Sequence, residues 1–311
     1  MGSIPRHHVA DEDKTAIGHK PYGKTISTAT LARLGTKARA AYRERGYHFP
    51  LRALSADEAG RLRGRFLDYW KQNEAQLESL LPRERGMLLI ETHLFLRWVY
   101  DLVTHPRILD AVESVLGPDI MAWSSQWFPK FPHDRSFVSW HQDAAYWGLS
   151  PPSVTTAWIA LSDSTIANGC LRVIPGSHLE ALPQHETYAR DNMLSRGQEI
   201  AVEVDESRAV DFVMEPGEFS LHHIGIVHGS RTNESDTARI GLAIRYLAPE
   251  VVQQGGARDM VMLVRGEDRY GHFDTCEPPA QDMRYGESAL HAESLARKVR
   301  NLKREAINGW R

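Results

Sequence analysis

"SWHQDAAYWG", residues 139–148, sets a histidine and an aspartate two positions apart inside an aromatic run. Read as a strand, it sends His141 and Asp143 to one face and Gln142 to the other, because strand side chains alternate. The surrounding chain favours strands. From Ile120 to about Leu247 it breaks into short β-like runs: "IMAWSSQWF", "FVSWHQDA", "VTTAWIAL", "LRVIP", "FSLHH", "GIVHGS" and "ARIGLAIRYL". Gly, Pro, Asn and Asp punctuate them. Many short strands with irregular loops predict an antiparallel sandwich or barrel such as a jelly roll. A polar insertion at 180–215 interrupts the pattern, and its "HETYARDNMLSRGQ" (185–198) has the character of a lid.

Upstream the chain reads as helical. A helix over about 28–45 ends at Gly46, which suits a C-cap, and "GYHFP" reads as a short strand. Ser55 and Glu58 form an S-x-x-E capping box that opens the next helix. "HPRILDAVESVLGPD" (105–119) is amphipathic and stops at Gly117-Pro118. The predicted organisation is a loose arm over 1–24, one mainly β domain with flanking helices over 25–287, and a C-terminal helix over 288–311. Leu290, Leu295, Val299 and Leu302 give that helix an apolar stripe, which packs on its own domain or pairs two subunits. Monomer and homodimer both stay open.

With 311 residues, 42% of them hydrophobic, the chain can bury a sizeable core. The net charge of -3 and the scattered Lys and Arg give no footprint for nucleic acid. Two cysteines, Cys170 and Cys276, suggest neither a disulfide framework nor a zinc cluster. No apolar run approaches the roughly 18 residues of a membrane span, so a cytoplasmic location is expected.

His141 and Asp143 gain meaning from "GIVHGSRTNESDTARIGLAIRY", residues 225–246. His228 ends an apolar run just before Gly229, where it can enter the same cavity. Two histidines and one carboxylate on one face of an octahedral ion leave three positions open. Non-haem Fe(II) uses that vacancy for a cosubstrate and O2, whereas structural zinc takes four protein ligands. Arg239 opens the return strand of a hairpin turned by "TNESD". Its guanidinium suits the distal carboxylate of a dicarboxylate that chelates iron through a 2-oxo acid group.

"WHQD" (140–143), "NGCLRVIPGSH" (168–178) and "HGSRTNESDTAR" (228–239) closely resemble the phytanoyl-CoA dioxygenase (PhyH) family of Fe(II)- and 2-oxoglutarate-dependent oxygenases. The likeness runs from about Gly46 to Leu247. It implies a double-stranded β-helix, the jelly roll of cupins, with His141, Asp143 and His228 on the iron and Arg239 on 2-oxoglutarate. It also implies that Thr156 and Trp158 border the cosubstrate and that Gln126 lies on a strand lining its pocket. Phe128 stands where the family often has Asn, and Asn168-Gly169 reads as a turn. Halogenases of the superfamily replace the carboxylate ligand with a small residue. Asp143 is kept here, which favours hydroxylation or a related oxidation of an unactivated C–H bond over halogenation, with release of succinate and CO2; desaturation, epoxidation and ring closure stay open.

For the substrate, the period-two rule puts Arg239, Gly241, Ala243 and Arg245 on one face. An inward Arg245 would suit a substrate carboxylate or phosphate. Tyr146 and Trp147 offer an aromatic wall, and Met193, Leu194 and Arg196 are the lid positions expected to touch substrate. His222 and His223 read as structural or as support for the metal centre. No dense Lys/Arg cluster supports coenzyme A, so a free small molecule of specialised metabolism is expected. Two other functions remain open: an iron-binding sensor or scaffold of the cupin type without turnover, and a zinc hydrolase or isomerase on the same fold.

Overall fold

The computed structural model describes residues 33–194, 197–254 and 256–302. The arm expected over 1–24, Arg196 and the end of the tail from 303 lie outside the described residues.

Helix α1 (Thr36–Arg45) ends at Gly46, whose φ of 82° supplies the left-handed turn into strand β1 (Tyr47–Arg52). Helix α2 (Ala56–Gln72) starts with the expected capping box, the Ser55 side chain accepting from Glu58 N and Glu58 accepting from Ser55 N. Helices α3 (Glu74–Ser79), α4 (Pro82–Leu89), α5 (Arg97–Val103) and α6 (Pro106–Leu116) follow. α6 takes proline at its first turn, where the missing N–H is harmless, and buries Ile108, Leu109 and Val112 along one face.

From there the chain is β-rich. Strands β2 (Ile120–Trp127) and β3 (Val138–His141) lead to a one-turn helix α7 (Ala144–Trp147), then β4 (Leu149–Ser150), β5 (Val154–Ala160) and β6 (Arg172–Val173). The insertion holds a hairpin of β7 (Gln184–Glu186) and β8 (Gln198–Ile200), and β9 (Val210–Asp211) closes it. β10 (Glu218–His223), β11 (His228–Ser230), β12 (Gly241–Leu247) and β13 (Val252–Gln253) come next. β14 (Met260–Arg265), β15 (Asp274–Thr275) and helix α8 (Ala289–Leu302) finish the described chain.

The large sheet has the order β1-β10-β5-β12-β2-β14-β15, and the small one β3-β11-β6-β9. Pairing is antiparallel except between β14 and β15. Two facing antiparallel sheets of this kind form a double-stranded β-helix, the expected jelly roll. Side-chain alternation then separates a core from a site. Ala157 and Ile159 of β5 and Leu242, Ile244 and Tyr246 of β12 join one apolar cluster with Phe66, Trp98, Val99 and Ile108 of the helices. The helices therefore cover one face of the large sheet. Phe66 is completely buried there, and trimming it to alanine would cost about 3–5 kcal/mol. The alternate positions, Thr156, Trp158, Ala243 and Arg245, face the small sheet and line a cavity.

Two expectations need correcting. The strand through 139–148 stops at His141: Asp143 has helical φ and ψ (-59°, -37°) and opens α7. The cause is Gln142, whose buried amide donates to the carbonyls of Ser177, Glu180 and Gly225 and accepts from Leu182 N. Its backbone pairs not with a strand but with the Gln184 side chain, whose Oε1 accepts from Gln142 N (3.1 Å) and whose Nε2 donates to Gln142 O (3.2 Å). The second concerns α8. Its buried positions are His291, Ser294 and Lys298, while Leu290, Leu295 and Val299 are only half-buried. The helix docks by its polar stripe because buried acids, Glu91 and Asp259, await it.

Candidate metal and cosubstrate site

One nitrogen each from His141 and His228 and a carboxylate oxygen of Asp143 lie within 4.8 Å of one another, and all three residues are buried. β3 and β11 bring the histidines together, for His141 and His228 are direct partners in the ladder. Asp143 reaches them from the start of α7, its Oδ1 3.2 Å from His141 Nε2 and its Oδ2 3.8 Å from His228 Nε2. The far nitrogens are fixed by backbone. His141 Nδ1 lies 2.9 Å from Ser139 O and 3.1 Å from His228 O, and His228 Nδ1 lies 3.0 Å from Ile226 O. A ring that donates from Nδ1 presents its Nε2 lone pair to the centre, as metal-binding histidines do.

Electrostatics favour the same use. Burial pushes the Asp143 carboxyl up, but His228, His141 and Arg245 outweigh it and hold it at about 2. Burial, reinforced by His141, lowers His228 to about 4. At neutral pH, Asp143 is therefore an anion and His228 a neutral donor, the forms a divalent cation requires.

Beside this donor set lies a cavity of about 50 Å³ lined by Thr156, Trp158, His222, Ser230, Arg239 and Arg245 as well as the three donors. Arg239 enters it just before β12, bridging to Lys130, with its guanidinium 5.4 Å from the Trp158 ring centroid. It donates to Gly169 O and Phe128 O (3.1 Å), while Nε has no hydrogen-bond partner among the described residues. The Asn168-Gly169 turn sets the Gly169 carbonyl in place: Asn168 side-chain bonds to Thr165 N and Asp163 O hold it, and φ at Gly169 is +73°. Lys130, fully buried, donates to Ser230 Oγ (2.8 Å) and to Arg231 O. Burial first, and Arg239 second, push Lys130 well below its usual range, and burial takes Arg239 down to about 10. Arg239, a buried cation of this lining with an open N–H, calls for an anion. Thr156 Oγ1 and His222 Nδ1 are also buried without hydrogen-bond partners among the described residues.

A second cavity, about 110 Å³, shares Asp143, Leu194 and Arg245 with the first. Trp123, Tyr146, Trp147 and Met193 line it, with Gln126, Asp259 and Lys298. Gln126, expected beside the cosubstrate, lies here, its Oε1 accepting from Arg245 Nη2 at 3.1 Å. Lys130, Ser230, Asp259 and Lys298 escaped the sequence reading. Ser230 had a signal, since it stands two residues after His228 on the same strand.

A model of the family described as phytanoyl-CoA dioxygenase (PhyH) matches residues 42–241, well over half of the chain. The chain belongs to the phytanoyl-CoA dioxygenase family. It is 24% identical over 234 residues to a probable phytanoyl-CoA dioxygenase of Caenorhabditis elegans, covering 68% of this chain and 75% of that protein. It is also similar to the solved structure of the apo non-heme monooxygenase ThoJ, at 35% identity and a TM-score of 0.71, covering 86% and 96% of the two chains. CytC3 with Fe(II) and alpha-ketoglutarate, at 22% identity and a TM-score of 0.58 over 80% of this chain and 96% of that one, shares the fold. The cofactors are those of the family, Fe(II), 2-oxoglutarate and O2. The His-Asp-His donors fit the iron, and the buried Arg239 guanidinium with its open N–H fits a carboxylate. No described helix is long and apolar enough to cross a membrane.

Proposed function

We propose that this protein hydroxylates an unactivated C–H bond of a small molecule, coupled to conversion of 2-oxoglutarate and O2 into succinate and CO2. The observation that carries the reading is the pair of adjoining cavities that share Asp143 and Arg245: one holds the donors and buried cations, the other an aromatic wall. His141, Asp143 and His228 would hold iron. Arg239, over Trp158 and beside Lys130, would take the distal carboxylate of 2-oxoglutarate, with Thr156 supplying a hydroxyl to it. When bound, iron and 2-oxoglutarate supply the oxidising power for C–H cleavage.

The chain's own part is orientation and exclusion of water. Carbonyls aim the two imidazoles, and Trp158 and Phe128 wall the first cavity. Met193 and Leu194, from the insertion, close the second, where Tyr146 and Trp147 would flank the substrate. Retention of Asp143 as third donor favours hydroxylation over halogen transfer. The catalytic domain in this reading spans 25–287, with α8 as an added wall.

The test starts without oxygen. Fe(II) and 2-oxoglutarate added to the protein should give the weak visible band of the chelate, absent when His141 and His228 are both replaced by Ala. Under air, candidate small molecules should stimulate succinate release and gain one oxygen atom by mass. Absence of both band and succinate rejects the reading. Turnover that persists without O2 and 2-oxoglutarate points to a hydrolase instead.

A further inference from the structure

We infer that the substrate carries a carboxylate, held in the second cavity by Arg245 and by Lys298 of the last helix. This rests on the reading above, in which iron and 2-oxoglutarate fill the first cavity.

Arg245 projects inward from β12 and is 8% exposed, lining both cavities. One Nη2 bond goes to Gln126, and the guanidinium lies 5.2 Å from the Trp147 ring centroid and 5.9 Å from that of Phe128. Its Nε is buried with no hydrogen-bond partner among the described residues. Asp143 and Glu91 are the acids that act on it; Asp143 belongs to the metal donors, and Glu91 lies outside the lining. A guanidinium has donors only, so an enclosed one with an open N–H asks for a charged acceptor.

Lys298 is the second cation facing this space, also 8% exposed. Its Nζ lies 3.3 Å from Trp123 O, 3.4 Å from Glu91 Oε1, 3.8 Å from Asp259 Oδ2 and 3.8 Å from the Trp123 ring centroid. The ammonium is thus paired with two acids and a ring but makes no short charged hydrogen bond to either carboxylate. Glu91 is 1% exposed and lies outside the cavity lining. Asp259 lines it, but Oδ2 accepts from Trp123 Nε1 (2.9 Å) and Oδ1 from Asn301 Nδ2 (2.7 Å). Gln253 Oε1, an acceptor in the lining without a partner among the described residues, is a neutral amide oxygen. The open cationic N–H of the lining is that of Arg245, with the Lys298 ammonium also facing the space. Trp123, Trp147, Met87 and Ile90 give the acid's body an apolar bed.

Phenylacetate serves as probe, with phenethyl alcohol and phenethylamine as its neutral and cationic counterparts. Each is titrated anaerobically into protein saturated with Fe(II) and 2-oxoglutarate, and binding is read by quenching of tryptophan fluorescence and by saturation-transfer NMR. Phenylacetate should bind about tenfold tighter than either counterpart. Arg245→Gln and Lys298→Met should each weaken it about tenfold, and Lys298→Arg should restore much of the loss. Equal or tighter binding of phenethylamine, no phenylacetate binding, or full affinity in both variants overturns the inference. The wild-type comparison decides even if a variant fails to fold. The chelate band on the same wild-type samples reports separately on the dioxygenase reading: band present without acid preference sinks only the substrate class.

Discussion

Gly241 and Trp158 approach so closely across β12 and β5 that a Cβ at position 241 would lie 2.1 Å from Trp158 Cζ2. The glycine is there to admit the indole, and the indole in turn lies under Arg239. Gly241→Ala should push the ring off its seat, at a cost of about 1–3 kcal/mol in stability. The KM for 2-oxoglutarate should rise while iron binding stays close to wild type. Urea melts and a 2-oxoglutarate titration check this, and an unmoved KM would show that Trp158 does not border the cosubstrate.

Arg239 is a buried cation of the first cavity, with no acid in direct contact among the ion pairs of the described residues. An anion should therefore stabilise the protein markedly. At a 2-oxoglutarate concentration 100 times Kd, linkage predicts a gain of about 2.7 kcal/mol, visible as a rise in Tm. Arg239→Met should lose most of that rise, whereas succinate, which lacks the chelating keto group, should produce less of it in the wild type. A Tm that ignores 2-oxoglutarate would remove the anion from this cavity.

Acid should weaken the fold well before carboxylates titrate. Burial holds His93 and His223 at about 4, below their ordinary 6.5. The unfolded chain binds these protons as pH falls below 6.5, and the folded chain does not until near 4. Their contribution is therefore complete above pH 6.5 and lost as pH falls toward 4, each by at most about 1.4 kcal/mol per pH unit. Urea midpoints of the metal-free protein at pH 7, 6 and 5 should decline, and His93→Gln should flatten the slope. A level profile across that range contradicts the assignment.

The jelly roll was legible because short apolar runs such as "VTTAWIAL" and "ARIGLAIRYL", punctuated by turn residues, are a local signal; both are strands buried along their whole length. The donor set was legible for a partly mistaken reason. His141 and Asp143 converge because Gln142 is tied to three carbonyls of distant segments, which turns the chain into α7; no local pattern announces that. The tail helix misled for a related cause. Apolar residues at helical spacing usually mark the buried face. Here Lys298 and Ser294 are buried instead, since Glu91 lies 203 residues upstream of Ser294 in sequence yet beside it in space.

Glu91 is where the last prediction falls. Its φ of 58° is left-handed, uncommon for a side-chain-bearing residue, and its carboxylate is buried against Ser294 Oγ and Lys298 Nζ. Glu91→Gly would relax that backbone and Glu91→Ala would not, but both remove the acid that faces α8. Removing one partner of a buried ion pair costs about 3–5 kcal/mol, because the other charge stays behind in a poor solvent. Asp259, 3.8 Å from the same ammonium, should recover part of this. A double-mutant cycle separates the terms: Lys298→Met should destabilise the Glu91→Ala background less than the wild type, with coupling of about 1–3 kcal/mol. Hydrogen exchange should place the loss in α8, which depends on this polar contact for its docking. Additive effects, or faster exchange spread evenly over the β-helix, would show that Glu91 supports the sheet and not the helix.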